Sequence, residues 1–562
     1  MGMLLKVNWH ISLWKHHVAQ ERRLKDARAR VTIFLACCLA VYCTILGRLV
    51  YLGYTNYAPH MVLSRSGIDE TKRGTIYDSV GNILATDVLA YTLFADAKLV
   101  LDPKETARQL KRIIPCLSEK DVFRNLLSKK RYIPICKNVS PQTKSILEDL
   151  GLPGLFFKSV YTRVYPHGRS CAHVLGFCDE NSKGVAGIEK AFDKDLFEKK
   201  KDVRLSLHIG LQEMARDILE EGMHKYKAQG GNVMIMDQDG QILCAASLPD
   251  FAGDGGDASE KIKGAFNRNF QGVFEAGSVL KIINFAIALQ TKTSNWDCTY
   301  DARHPVRLGR FTVDDFQPKR RVLSFAEVFK FSSNIGNIQM SMRFGPKVQQ
   351  HFYKKFGLLK KPKLEIPEVG NTRPPKIWGE IQSKTISYGY GIAIAPITFL
   401  RAVATILNDG HRVFPTLLKR TSDDLRALKI RRETRKPVVD QHVSDSIHRL
   451  MRLVVIEGTA RTCNIEGLDL IGKTGTAQAL IGGRYNKDGR MTTFIWSITA
   501  PDGRRFYGLT MLNNPKAVEG TYGFATGGWN VVPITKQILT AMVPILNITP
   551  QPRILQENCQ SA

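Results

Sequence analysis

Seventeen consecutive residues without a charge, Val31 to Gly47 (VTIFLACCLAVYCTILG), constrain this chain more than any other stretch. As a helix at about 1.5 Å per residue the run is roughly 25 Å long, close to the hydrocarbon thickness of a bilayer. Arg48 can snorkel outward while Leu49, Val50 and Leu52 prolong the apolar character, and Tyr51, Tyr54 and Tyr57 suit the interfacial aromatic belt. The predicted span is therefore 31–54. A cleaved signal peptide needs a small-x-small site after the apolar run; none follows, and the basic leader is long for one. Ahead of the span, Lys6, Lys15, Arg22, Arg23, Lys25, Arg28 and Arg30 oppose only Glu21 and Asp26. The positive-inside bias then keeps residues 1–30 cytoplasmic as a basic tail and sends everything after the span outside.

That placement interprets the charge. A net +28 attracts polyanions, but with the bulk of the chain exported, anionic headgroups are available and nucleic acid is not. No helix-turn-helix, zinc finger or aromatic RNA-binding motif argues otherwise. At 562 residues the chain exceeds one hydrophobic core and predicts several domains. Eleven cysteines, an odd number spread over a long chain, do not form the framework of a small disulfide-rich domain. Cys171 and Cys178 are too far apart for a zinc-type pair, and the thirteen histidines show no ligand spacing, so no metal site is predicted.

Within the exported part no repeat is visible. Arg73-Gly74-Thr75-Ile76-Tyr77-Asp78 leads through Gly81-Asn82 into an alternating strand, and an amphipathic helix is predicted around Glu105 to Ile114. The charge run Glu198 to Asp202 reads as a solvated boundary. Residues 55–204 thus form a mixed α/β pedestal without a nucleophile and base arrangement. Downstream, residues 205–550 open with a helix over Gly210 to Tyr226 and a hairpin whose turn is Asp237-Gln238-Asp239-Gly240. Helices follow, one opened by the capping box Ser324-Phe325-Ala326-Glu327 and one by Pro396 running to about Asn408. A second hairpin pairs Thr492 to Thr499 with Arg505 to Met511, and a helix from about Trp529 to Leu546 closes the domain before a tail, 551–562. The predicted class is α+β: helices between the two halves of one antiparallel sheet.

Three short motifs carry the chemistry. In Glu275-Ala276-Gly277-Ser278-Val279-Leu280-Lys281, Ser278 is predicted at a helix N-terminus with Lys281 one turn later on the same face. A serine hydroxyl needs a base, and a lysine desolvated beside another cation can be neutral enough to serve. Alone the pattern is weak, since about two occurrences of Ser-x-x-Lys are expected by chance in this length. Phe331-Ser332-Ser333-Asn334 follows the capped helix and is, by itself, a turn with an N-cap. Gly472-Lys473-Thr474-Gly475-Thr476-Ala477 continues the apolar Leu468 to Ile471 and places a cation and hydroxyls on a strand edge, where the glycines let a ligand backbone lie close. The glycine pattern of a Walker phosphate loop is absent.

Together and in this order the three match the Ser-x-x-Lys, Ser-x-Asn and Lys-Thr-Gly set of penicillin-binding proteins and serine β-lactamases. The chain resembles a class B penicillin-binding protein, and more narrowly the septal peptidoglycan D,D-transpeptidases of alphaproteobacterial cell division. Arg163-Val164-Tyr165-Pro166-His167-Gly168, Ala172-His173-Val174-Leu175-Gly176, Gly187-Ile188-Glu189-Lys190, Trp378-Gly379-Glu380, Tyr522-Gly523-Phe524-Ala525-Thr526 and Gly528-Trp529-Asn530 extend the resemblance over nearly everything after residue 30. It departs at Ala276, at His208 and at Tyr390, none of which removes a reactive atom. The resemblance implies that Ser278 is the nucleophile, Lys281 its base and Ser332 a proton relay. It implies that Asn334 holds substrate amides and Lys281, that Lys473 is a catalytic residue supplying positive potential near the substrate carboxylate, and that Thr474, Gly475 and Thr476 bind the substrate. The backbone amides of Ser278 and Thr476 form the oxyanion hole in this scheme. It implies no metal or organic cofactor, a dimerisation-type pedestal and a single-pass inner-membrane protein whose catalytic domain is periplasmic. Implied partners are peptidoglycan stem peptides, β-lactams, the membrane and division proteins including a multispanning glycan polymerase. An elongation-type transpeptidase, a β-lactamase or β-lactam sensor, and a catalytically idle division scaffold stay open as alternatives.

Overall fold

The computed structural model describes residues 25, 28, 30–51, 72–128, 130–179, 181–252, 264–481 and 484–550. One apolar helix, Arg30–Tyr51, has a mean hydropathy of 2.2 over its best window and buries none of it within the protein. An unburied surface of this kind needs lipid or another apolar partner. The predicted end of the span at Tyr54, the interfacial Tyr57, most of the basic tail and the segment 551–562 lie outside the described residues.

The described residues divide into two compact units that do not follow chain order. The smaller comprises the apolar helix together with the described residues of 92–136 and 151–159. It contains the amphipathic helix expected near Glu105, observed as Pro103–Ile113 and capped by Asp102, and a second helix, Glu119–Leu126, capped by Ser118. Both caps satisfy N–H groups that the first turn of a helix leaves free. Phe94, Tyr132 and Phe156 form an aromatic cluster in this unit, with ring centroids 5.3–6.5 Å apart.

The larger unit comprises the described residues of 72–91, 137–150 and 160–550. Its entry is tied by a buried charge cluster whose Arg73, Arg163 and Glu189 stand in segments quoted above but whose pairing no spacing announces. The Arg73 guanidinium meets Glu189 Oε2 at 2.9 Å and Asp193 at 2.7 Å, while Arg163 donates to Glu189 Oε1 at 2.6 Å and to Asp87 at 3.1 Å. Glu189 is fully buried, and only a carboxylate between two guanidinium groups makes such burial tolerable. Asp78 closes the following turn by accepting from the amides of Val80, Gly81 and Asn82, and reaches the Ile209 amide at 3.2 Å.

From Ile209 the chain builds the α+β domain. Helix α1 (Ile209–Lys225) is followed by strands β1 (Gly230–Asp237) and β2 (Ile242–Leu248), helices α2 (Lys281–Gln290), α3 (Asn334–Lys355), α4 (Ser422–Thr434) and α5 (Gln441–Ile456), strands β3 (Asp469–Ile481), β4 (Arg484–Thr499) and β5 (Arg505–Asn513), and helix α6 (Val531–Ile545). All five strands form one antiparallel sheet in the order β3-β4-β5-β1-β2. The two hairpins expected from their turn chemistry are its two ends in sequence, joined by β5 against β1. Strand β4 begins eight residues before the predicted Thr492, because Arg484 to Arg490 is polar and lacks the apolar alternation that marks a half-buried strand. The helices at Ser324 and Pro396 appear as Phe325–Lys330, with its capping box formed, and Pro396–Leu407. Helix α2 is buried along nine of its ten residues, so the element carrying the first motif is the central core helix. Its Asn284 is held by a buried chain in which Gln349 donates to Asn284 at 3.1 Å and Trp378 donates to Gln349 at 2.9 Å.

Candidate active site

The nucleophile candidate lies on a tighter turn than expected. Gly277–Leu280 is a 3₁₀ turn that runs into α2, so Ser278 stands just ahead of the α-helix and Lys281 is its first residue. Gly277 opens the turn at φ +62°, a conformation that favours glycine. There is also no space for a side chain: a Cβ at Gly277 would fall 2.8 Å from the Thr476 carbonyl, and one at Gly475 would fall 2.7 Å from the Ala276 carbonyl. The first and third motifs are thus packed backbone against backbone. Gly277 N–H also donates to the Gly389 carbonyl at 3.2 Å.

The second motif is a turn between two helices. Ser332 takes a left-handed backbone, φ +59°, and Ser333 caps α3 by accepting from the Gly336 amide. Lys281 Nζ donates to the Ser332 carbonyl at 2.5 Å and to Asn334 Oδ1 at 2.8 Å, and lies 3.2 Å from Ser332 Oγ. Lys473 Nζ reaches the same Oγ at 3.0 Å and the Thr474 carbonyl at 3.1 Å. Ser332 Oγ is therefore shared by two amine-bearing side chains, each completely buried. Burial, and then the positive charge of Lys473, hold Lys281 well below its ordinary value; the charge of Asp315 pulls the other way. Burial also lowers Lys473, to about 7. A neutral Lys281 can donate two N–H bonds to Ser332 and Asn334 and keep a lone pair for a hydroxyl proton.

On β3, Lys473 and its neighbours alternate as a strand requires. The Thr474 hydroxyl meets the Thr459 hydroxyl at 2.5 Å, and Thr476 Oγ1 accepts from the Gly527 amide at 3.1 Å, which leaves the Thr476 proton free to donate. Among the described residues strand β3 is an edge, paired only with β4. Its outer side is identified by Gln478, whose N–H donates to the Tyr390 hydroxyl at 3.2 Å instead of to β4. Backbone amides two residues apart point the same way, so the Thr476 N–H faces outward as well, toward the turn that bears Ser278.

Two contributors escaped the sequence reading. Asp315 accepts from the Ser333 hydroxyl at 2.7 Å and from the amides of Asn334 and Ile335 at 2.5 and 3.0 Å, so one carboxylate orders the whole second motif. A lone acid in a loop gives no spacing signal. Thr459 precedes no motif either, and it is the partner that orients Thr474. Of the three departures, His208 caps α1, its Nδ1 accepting from the Leu211 amide at 3.4 Å. Tyr390 seals the end of the β3 edge, and Ala276 lies under Gly475.

With this geometry in place, comparison decides the family. The Penicillin binding protein transpeptidase domain matches residues 230–540, more than half of the chain, and the Penicillin-binding Protein dimerisation domain matches 68–207. The chain belongs to the penicillin-binding proteins. Having both domains, it is a class B penicillin-binding protein, with the α+β transpeptidase fold described above. A Caulobacter vibrioides protein named a probable peptidoglycan D,D-transpeptidase FtsI is 29% identical over 95% of this chain and 92% of that protein. The Escherichia coli K12 peptidoglycan D,D-transpeptidase FtsI is 26% identical over 94% of each chain, and stage V sporulation protein D of Bacillus subtilis is 27% identical over 87% of this chain and 81% of its own length. A crystal structure of a peptidoglycan synthetase from Bifidobacterium adolescentis superposes with a TM-score of 0.63 at 21% identity, covering 86% of this penicillin-binding protein and 97% of that chain, and shares its fold.

Proposed function

We propose that this chain is a septal peptidoglycan D,D-transpeptidase that works through a serine acyl-enzyme and is a target of β-lactams. Membership of the penicillin-binding proteins supports the peptidoglycan substrate and β-lactam binding, and the FtsI relatives support the septal role. The observation that carries the mechanism is the convergence of Lys281 and Lys473 on Ser332 beside the turn that bears Ser278.

In the proposed reaction Lys281 takes the proton of Ser278 as its oxygen bonds to the carbonyl carbon of the penultimate D-alanine of a stem peptide. The bond to the terminal D-alanine breaks, and its nitrogen collects a proton through Ser332. An amine of a neighbouring strand then attacks the ester, the new peptide bond forms, and Ser278 recovers its proton. The amides of Ser278 and Thr476 hold the oxyanion, worth about 3 kcal/mol per donor. Asn334 holds substrate amides and Lys281. Lys473 supplies positive potential for the substrate carboxylate, to which the hydroxyls of Thr474 and Thr476 donate, and Gly475 leaves room for the Ala276 carbonyl of the turn that bears Ser278.

The proposed domain plan is a cytoplasmic tail to residue 30, one membrane span, a pedestal to 204, the transpeptidase domain to 550 and a terminal tail. The positive-inside bias supports a cytoplasmic N-terminus and a periplasmic catalytic domain. Glycan strands come in this scheme from a multispanning polymerase of the division machinery. The deciding experiment is labelling with a fluorescent β-lactam: Ser278→Ala should be unlabelled while its circular dichroism matches the parent. Retained labelling would move the nucleophile elsewhere, and a tagged chain spread along the side wall instead of at midcell would remove the septal role.

A further inference from the structure

Far from the catalytic edge, the turn between β1 and β2 borders a cavity of about 260 Å³. Its walls come from three segments: the turn itself at Gln238 and Asp239, the loop from His411 to Phe414, and the end of α4 through Lys436. The sheet register gives its distance from the site. Asp237 lies in the row of Leu470, whereas Thr476 lies in the row of Gly231, six residues further along and three strands across. That is about 20 Å along the strands and about 14 Å across them.

The cavity collects cations. Arg412, Arg431, Arg432, Arg435 and Lys436 line it against a single carboxylate, Asp239. That carboxylate is already bound to Arg432 at 2.9 Å. Among the described residues the other four have no carboxylate within ion-pair distance, and Arg431 lies over the Phe414 ring at 5.0 Å. A row of cations near a helix C-terminus is commonly explained by the helix dipole. Here that dipole offers about half a negative charge, which balances at most half of one of them. The positive field is felt by a neighbour: the Arg401 guanidinium is pushed down to about 10, first by burial and then by the charge of Arg412.

Helix α4 itself is unusual in burying none of its thirteen residues. Leu428, Arg431 and Arg432 follow the i, i+3, i+4 spacing of a single helix face that forms one cavity wall, and Arg435, the extended residue that ends the helix, continues that wall. The helix thus gives the core nothing and gives the cavity its charge. We propose that this cavity is a binding site for a small phosphate-class oxyanion. Guanidinium forks match such oxygens bidentately, and the volume is below that of pockets for drug-sized ligands. A lipid phosphate and a free inorganic one share this chemistry. An acidic peptide needs an extended groove that the three converging walls do not provide.

The test uses the full-length protein in neutral detergent and inorganic pyrophosphate as the probe, followed by titration calorimetry at constant ionic strength. Saturable binding is expected, weakened by about tenfold or more in the double variant Arg412→Gln, Arg435→Gln. Labelling of Ser278 by a fluorescent β-lactam should be unchanged in that variant, which reports its folding. Equal binding by parent and variant, or heats reproduced by sodium chloride, would overturn the site. Vesicles of phosphatidylglycerol and of phosphatidylcholine separate the sources: a loss of phosphatidylglycerol preference in the variant that pyrophosphate also abolishes in the parent assigns a lipid phosphate. A preference that pyrophosphate leaves intact instead makes the patch a membrane-facing surface and removes the cavity proposal.

Discussion

Ser332 is the residue on which the site turns. Its left-handed backbone aims both its carbonyl and its hydroxyl at Lys281, and its hydroxyl is shared with Lys473. Two lysines around one oxygen cannot both stay charged at low cost, which is the physical basis for the neutral base proposed at Lys281. The charge of Asp315 works against that neutrality, raising Lys281. Asp315→Asn should therefore move the acid limb of the β-lactam acylation rate to lower pH, and, because one acceptor is lost from the turn, slow acylation by about tenfold. A purely structural role would lower the rate without moving the limb. Lys473 gives a second prediction. It sits at about 7 against 10.5 for an unburied lysine, so below pH 7 the folded and unfolded chains both hold its proton and the burial cost is full. Between 7 and 10.5 the unfolded chain binds more protons, and stability rises with pH. Urea midpoints measured across that window should rise less steeply in Lys473→Met than in the parent. The motif residues could be read from order and spacing alone, because each belongs to a short contiguous pattern. Asp315 and Thr459 could not, because their partners lie across the fold.

Elements explain why the motifs meet. The turn that bears Ser278 is clamped on two sides by backbone: β3 touches it through Gly475 and Thr476, and Gly389, at φ +109°, touches it so closely that a Cβ there would lie 2.0 Å from the Gly277 carbonyl. Gly389→Ala should push the turn off its seat and reduce β-lactam acylation about a hundredfold, with thermal unfolding measured alongside. The second clamp is electrostatic. Glu189 joins Arg73 to Arg163 within the entry to the larger unit. Glu189→Gln leaves two buried guanidinium groups short of a counter-charge and should lower stability by about 3–5 kcal/mol in chemical denaturation. Hairpins, capping boxes and the proline-started helix were readable because glycine, aspartate, serine and proline act locally. The charge cluster was not, since Arg73 and Glu189 are separated by more than a hundred residues and neither shows an apolar period. The full length of β4 was hidden for the opposite reason, its first residues being polar.

At the scale of the molecule, the apolar helix and the sheet serve different surroundings. Arg30–Tyr51 buries nothing within the protein, so an alkaline carbonate wash, which strips peripheral proteins, should leave the chain in the membrane fraction, while a chain starting after residue 54 should leave it. Strand β3 turns one edge away from β4, and Tyr390 meets that edge at Gln478. In the proposed reaction a guest laid along that edge is gripped through amide and carbonyl groups, which every residue possesses alike. Swapping side chains on β3 therefore alters the grip little, and any drift in this chain toward preferring one guest over another must be written in the neighbouring loops that decide how a guest arrives.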